Sequence, residues 1–234
     1  MNDLNMHHNV TPLRSSLFER LRHDSDILTL IDQADAVLGA MGYTDHGRRH
    51  ATLVAVTASR VLATLGYDAH TCDLAAVAGL THDLGNCAGR PSHASAGAVF
   101  VYQLLVARDV DVADAATIMS AVGNHDENEQ GAAIDEVSAA LIVADKADIH
   151  RSRVRTRRPE DFDIHDRVNY AVTKAELEAH AAAKALTLSL VCDTSVASPT
   201  DILDLFNLRF AMSRSAASVL GCSYTVIVND EPIL

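Results

Sequence analysis

Tryptophan is missing from this chain of 234 residues, and the aromatics together make up only 4% of it. Ala, Leu and Val are abundant instead, and because Ala and Leu carry high helix propensity, closely packed helices are the expected architecture. Positive charge is scarce too, with 19 Lys and Arg against 31 Asp and Glu, a formal net charge of −12. Binding to a phosphate backbone runs on clustered positive charge, so duplex nucleic acid is excluded as a general partner. Any bound nucleotide must be met by a local basic pocket or by metal. The four cysteines (Cys72, Cys87, Cys192, Cys222) show no C-x-x-C spacing. That argues against a zinc ribbon or a redox pair and for buried, reduced thiols. No apolar run reaches the length of a membrane span, and Met1 to Thr11 has no apolar signal-peptide core. No membrane partner and a cytoplasmic location are therefore expected. What remains, 48% apolar and 21% charged residues, is ordinary for one folded core of this length.

Residues 1–24 read as a loose lead-in, with a short helix near Leu13 to Leu21. From Ser25 to Met41, apolar residues recur at spacings of three and four (Ile27, Leu30, Ile31, Ala34, Val37, Leu38, Met41), the mark of an amphipathic helix. Further helices are expected over about His46 to Leu65, Thr71 to Leu84, His93 to Ala107 with Ser92 as its cap, Val112 to Asn124 and Ile134 to His150. The pattern changes after Pro159. Lys174 to His180 and Ala185 to Asp193 alternate apolar and polar residues and read as strands. Ser198-Pro199 opens a long helix that closes at Gly221, and Tyr224 to Val228 makes a last strand. The expected fold is thus mainly α: a helical bundle over residues 25–160, with a small antiparallel β-β-α-β unit over 161–234 packed on it. The last strand could leave an edge open to pairing, a route to a homodimer.

The placement of the histidines matters more than their number. His50 begins the stripe Val54, Val61, Leu65 of its helix, and His82 and Asp83 close the apolar helix of Leu74, Ala78 and Leu80. His93 shares a face with Gly97, Val101 and Leu104; His125 follows Ile118 and Val122; Asp145 follows Val137 and Leu141. Five helices each bring an imidazole or a carboxylate to the inward face. Buried carboxylates such as Asp83 and Asp145 need a cation or several donors, and one or two shared divalent metals would satisfy the whole set. Neutral imidazole and carboxylate suit Fe, Mn, Ni, Co or Zn.

The order His50, His82-Asp83, Asp145 resembles the H…HD…D signature of the HD superfamily of metal-dependent phosphohydrolases. The flanking text agrees: "DHGRRHATLVA", "AAVAGLTHDLGN", "SHASAGAVF" and "LIVADKADI". The resemblance spans about Thr44 to Arg151, and the chain beyond Pro159 resembles no part of that core. His93 and His125 match the positions of the extra histidines in two-metal members. Many relatives carry Lys three residues after the doublet Asp, where this chain has Asn86. "GNHDENEQG" contains no Gly-Tyr-Pro, so cyclic-di-GMP hydrolysis is not expected.

The resemblance implies an HD-type helical bundle and an enzyme that hydrolyses phosphomonoesters or diesters of small, nucleotide-like substrates with a metal-activated water. Asp83, His93 and His125 would be catalytic, and His50, His82, Asp83, His93, His125 and Asp145 would hold the metal. Two rivals stand beside it: a di-iron oxygenase similar to myo-inositol oxygenase, and a non-catalytic sensor that keeps its metal for structure. Of the Arg151, Arg153, Arg155, Arg157, Arg158 cluster, Arg151, Arg155 and Arg158 share a face if helical. They are candidate phosphate ligands, because Arg forks match phosphate oxygens; the alternative is a solvated loop paired with Glu160, Asp161, Asp163 and Asp166. His46 is expected to be exposed in the first turn of its helix, and Arg48 and Arg49 to lie on the surface.

Overall fold

The structure is a computed structural model that describes residues 16–156 and 158–234. The start of the expected Leu13 to Leu21 helix, and Arg157, lie outside the described residues.

Nine α-helices occur among the described residues: α1 Leu17–Leu21, α2 Ser25–Ala40, α3 Arg48–Leu65, α4 Ala69–Thr81, α5 His93–Val106, α6 Val112–Gly123, α7 Glu136–Lys146, α8 Ile164–Ala171 and α9 Pro199–Val219. The described end of the lead-in, Leu17–Leu21, is docked on the bundle. Asp73 of α4 accepts from the backbone N–H groups of Leu17 and Phe18, and Phe18 and Leu21 are buried.

Two helices form the centre. Every residue of α4 from Leu74 to Thr81, and every residue of α7 from Val137 to Lys146, is buried. Both are helices surrounded on all sides, and both end at chemistry-bearing residues. Small residues let the backbones approach: a Cβ added to Gly79 would meet the backbone of Ala55 at 2.6 Å, so α3 and α4 nearly touch there. A 3-10 turn over Leu84–Ala88 follows the doublet. At Gly85 a Cβ would lie 1.9 Å from the carbonyl oxygen of His93, so only glycine lets this turn dock on the start of α5. Ser92 has φ +59° and makes no side-chain cap. Instead Glu129, 34 or 35 positions further on, accepts from the amides of Ala94 and Ser95.

The C-terminal unit carries a four-stranded sheet in the order β1 (Val172–His180), β2 (Ala185–Cys192), β3 (Ser223–Val228), β4 (Glu231–Pro232). The expected all-antiparallel unit is corrected: β1 and β2 form an antiparallel hairpin, but β2 and β3 run parallel, with Leu186 opposite Tyr224 and Leu188 opposite Val226. The 21-residue α9 lies between them and returns the chain to the starting end, as a parallel pair requires. Ser198 and Asp201 cap α9 reciprocally, with Pro199 at its first position. The expected open edge on β3 is covered by β4 and by bonds between Val226 and residues 233–234. α8, unforeseen in the sequence, is capped by Asp163 and runs directly into β1. α9 packs on α7, and a single hydrophobic core runs through the bundle and the sheet. No helix among the described residues is long and apolar enough to cross a membrane.

Candidate metal centre

His50 lies in the first turn of α3, His82 caps the C-terminus of α4 with Asp83 next to it, and His93 opens α5. His125 follows the end of α6, and Asp145 sits in the last turn of α7. These six side chains converge and all are buried, Asp83 being the most exposed at 8%.

The orientation of the imidazoles decides what the cluster can do. His82 Nδ1 lies 2.8 Å from the carbonyl oxygen of Gly79, and His125 Nδ1 lies 2.6 Å from that of Val122. His50 Nδ1 lies 2.7 Å from Asp148 Oδ2, and His93 Nδ1 lies 3.2 Å from the Arg90 carbonyl and 3.0 Å from Glu129 Oε1. Each partner can only accept, so each Nδ1 carries the proton and each Nε2 presents a lone pair. Those lone pairs face one another: His50 and His82 Nε2 are 3.2 Å apart, as are His93 and His125 Nε2. Asp145 Oδ1 lies 3.4 Å from His50 Nε2 and 3.7 Å from His82 Nε2. Acceptors packed against acceptors repel unless a cation sits between them.

Asp83 divides its two oxygens between the halves. Oδ2 lies 3.1 Å from His82 Nε2 and 3.6 Å from His50 Nε2, whereas Oδ1 lies 3.6 Å from His93 Nε2 and 4.0 Å from His125 Nε2. Oδ2 is buried without a hydrogen-bond partner. Asn86 donates to Oδ1 at 2.7 Å and fixes the carboxylate plane. At the second half a protein cation is already near: Arg90 Nη1 is 3.3 Å from His93 Nε2 and 3.8 Å from Asp83 Oδ1. The donors fall into three groups that could each hold a metal ion: His50, His82 and Asp145; His82, Asp83 and His125; His93, His125 and Asp126.

The electrostatics agree with a cation site. Burial alone would raise the Asp83 carboxyl, but His82 outweighs it and holds the group well below the usual range. Asp145 is held well below it against the same burial, chiefly by the charge of Lys146 and by His50 beside it. Burial, reinforced by His82, Lys146 and His93, pushes His125 down to about 3, and burial also lowers His93. His82 goes the other way, because Asp83 and Asp145 overcome its burial. A proton and a metal therefore compete for its Nε2.

Sequence reasoning missed two carboxylates. Asp148, buried, accepts from His50 and from Arg49, which is thus tied to the site and not merely a surface residue. Asp126, also buried, has Oδ2 3.6 Å from His93 Nε2 and accepts from Arg90 at 2.8 Å. Its signal was legible: His125-Asp126 repeats the His82-Asp83 doublet.

A cavity of about 680 Å³ opens onto the His93 and Asp126 side of the cluster. The arginines facing it are Arg90, Arg153 and Arg209, and the expected phosphate-binding trio lies elsewhere. Arg151 lies over the ring of Tyr170, Arg155 is tied to Asp35 and to the Tyr43 carbonyl, and exposed Arg158 pairs with Asp161. None of the three faces the cavity. His46 is not an exposed helical residue either. It precedes α3, lines the cavity, donates from Nδ1 to the Thr44 carbonyl, and accepts from Arg153 at Nε2. Arg48 is exposed and pairs with Asp32.

Neither a protein-family model nor a curated protein matches the chain.

Proposed function

We propose that the chain is a metal-dependent phosphohydrolase of the HD type, acting on the phosphate ester of a small, nucleotide-like molecule. The observation that carries this reading is the convergence of four imidazole Nε2 atoms on two carboxylates, with Asp83 offering one oxygen to each half. Apart from Arg90 Nη1 beside His93 Nε2, hydrogen bonding among the described residues leaves that arrangement unsatisfied, and divalent cations would satisfy it. His50, His82, Asp145 and Asp83 Oδ2 would hold one ion, and His93, His125, Asp126 and Asp83 Oδ1 a second. Bound there, the ions supply Lewis acidity toward phosphoryl oxygens and lower the pKa of water so that it becomes a nucleophile.

The protein's own groups do the rest. Asn86 keeps Asp83 oriented between the halves, and Asp148 and the Gly79 and Val122 carbonyls keep three Nε2 atoms aimed inward. Arg90 and Arg209, at the cavity, are placed to meet charge on the phosphoryl oxygens. In the reaction a new P–O bond forms to the water oxygen, which gives up one proton to solvent, the ester P–O bond breaks, and the leaving oxygen takes a proton from solvent.

Metal analysis of the chain purified without added metal, followed by a panel of nucleotides and phosphoesters, tests the reading. Asp83→Ala is expected to lose metal and turnover together while the helical circular dichroism persists. An Asp83→Ala protein with full metal content and unchanged turnover refutes it.

A further inference from the structure

The C-terminal unit lies outside Thr44 to Arg151, the stretch that carries the family resemblance, yet it forms one wall of the cavity. Leu205, Phe206, Leu208 and Arg209 of α9 and His165 and Asn169 of α8 face that space. Three features mark this wall.

Phe206 departs from helical geometry (φ −107°, ψ 15°), so α9 is kinked where it meets the cavity. Leu208, two residues on, is 63% exposed at the same place, a large apolar side chain left open to solvent. Asn169 is buried, and its Nδ2 donates to the His165 carbonyl at 2.9 Å, but its Oδ1 has no partner. A buried carbonyl oxygen without a donor is costly, and an arriving N–H or O–H would relieve that cost. Arg209 lies over the Phe206 ring at 5.4 Å and 3.5 Å from Glu127, which Lys146 links to Asp145. The wall is thus connected to the metal-ligand cluster. The cavity is larger than a phosphate group needs and within the range of small-molecule sites.

The geometry points to the C-terminal unit as the recognition surface for the organic leaving group of the phosphoester, a group of the nucleoside class. Leu205 and Leu208 offer apolar area to the base or sugar, and Asn169 Oδ1 accepts from an N–H or O–H on it. A bare polyol phosphate would use the metal and arginine side of the cavity but not this wall. The assignment rests on the phosphohydrolase reading, and its test separates the two.

The test compares full-length wild type with Asn169→Leu, which keeps the volume and removes the acceptor, and Asn169→Asp, which keeps an acceptor. Manganese-loaded protein is assayed on the four ribonucleoside 5′-monophosphates and on glycerol 2-phosphate. Asn169→Leu is expected to lower kcat/KM about tenfold for the preferred nucleotide, mainly through KM. Glycerol 2-phosphate should change by less than about twofold, and Asn169→Asp should retain most of the discrimination. Equal losses on both substrates, or no loss on either, overturn the assignment while leaving the hydrolase reading standing. If wild type cleaves no phosphoester, the hydrolase reading falls and ligand-observed NMR with the four ribonucleosides decides the wall by itself. Binding that Asn169→Leu abolishes upholds it, and no binding by wild type overturns it.

Discussion

Asp148 Oδ2 accepts the Nδ1 proton of His50 at 2.7 Å, across 98 positions of sequence, and so decides which nitrogen of His50 faces Asp145 and Asp83. Arg49 and Arg153 surround the same carboxylate, and burial notwithstanding, the hydrogen bond to His50 and the charge of Arg153 hold it well below the usual range. Asp148 is therefore ionised at neutral pH.

Asp148→Ala removes the acceptor and frees His50 to take the other tautomer. Metal affinity is expected to fall by about 10- to 100-fold, the usual cost of losing such an outer partner. Competition titration with a chelator measures this. An affinity within about twofold of wild type would show that His50 needs no help in aiming its Nε2.

Lys146 is a fully enclosed ammonium, 2.8 Å from Asp145 Oδ2 and 2.6 Å from Glu127 Oε2. Removing one member of a buried charge group strands the others, so Lys146→Met should lower unfolding stability by about 3–5 kcal/mol. Adding Glu127→Leu should recover part of that loss, because one of the two carboxylates that lost Lys146 disappears, although Arg209 then loses its own partner. Urea unfolding of both variants and wild type settles the matter, and a single variant as stable as wild type would mean that the network is not formed.

The six converging residues were legible because helical spacing reports which side of a helix faces inward, and a His-Asp doublet at the end of a buried helix is hard to place otherwise. Asp148 was not legible as a partner of His50, since nothing local ties residues 98 positions apart. The partners of the arginine cluster were not legible for a related reason. Charge density along the chain does not say where each fork points, and Asp35, Asp161 and Tyr170 take up Arg155, Arg158 and Arg151. In the tail, alternation in Ala185–Cys192 correctly marked a strand, because alternation reports burial. It carries no information on pairing direction, which is set by the 21-residue helix before β3. α8 escaped notice because its eight residues hold a single fully apolar buried stripe, Val168 and Ala171, among polar neighbours.

Asp24 gives the fold an acid-sensitive link. It caps α2 through the amides of Asp26 and Ile27, and it takes two bonds from Arg108 at 2.7 and 2.9 Å. The Arg108 hydrogen bond, aided by the two amides, lowers its pKa from 3.8 to about 2. A carboxyl depressed in the folded state contributes stability above its unfolded pKa and loses it as pH falls through the folded one. Asp24→Asn keeps a capping oxygen and removes the charge. The stability gap between wild type and Asp24→Asn should therefore be full above about pH 4–5 and shrink steadily toward pH 2. A gap of constant size across that range, measured by denaturant titration, would assign the effect to capping alone.

A hydrolase and a di-iron oxygenase would use the same six residues to hold metal here but would ask different things of it. Hydrolysis needs a Lewis acid and a source of nucleophilic water, so Mn, Co or Ni should serve. Oxygenation needs iron that changes oxidation state, together with dioxygen. The surroundings favour the first. Arg90 stands 3.3 Å from His93 Nε2 and, with Arg209, faces the cavity, where fixed positive charge would counter the growing charge on phosphoryl oxygens. Arg90→Lys keeps the charge but loses the planar fork that also engages Asp126. It should raise KM or lower kcat about tenfold or more without removing metal. Turnover of a phosphoester under anaerobic conditions, with a metal other than iron, is the expected outcome. Strict dependence on iron and dioxygen, with a broad phosphoester panel inert, would hand the site to oxygen chemistry and leave Arg90 and Arg209 to bind some other anion.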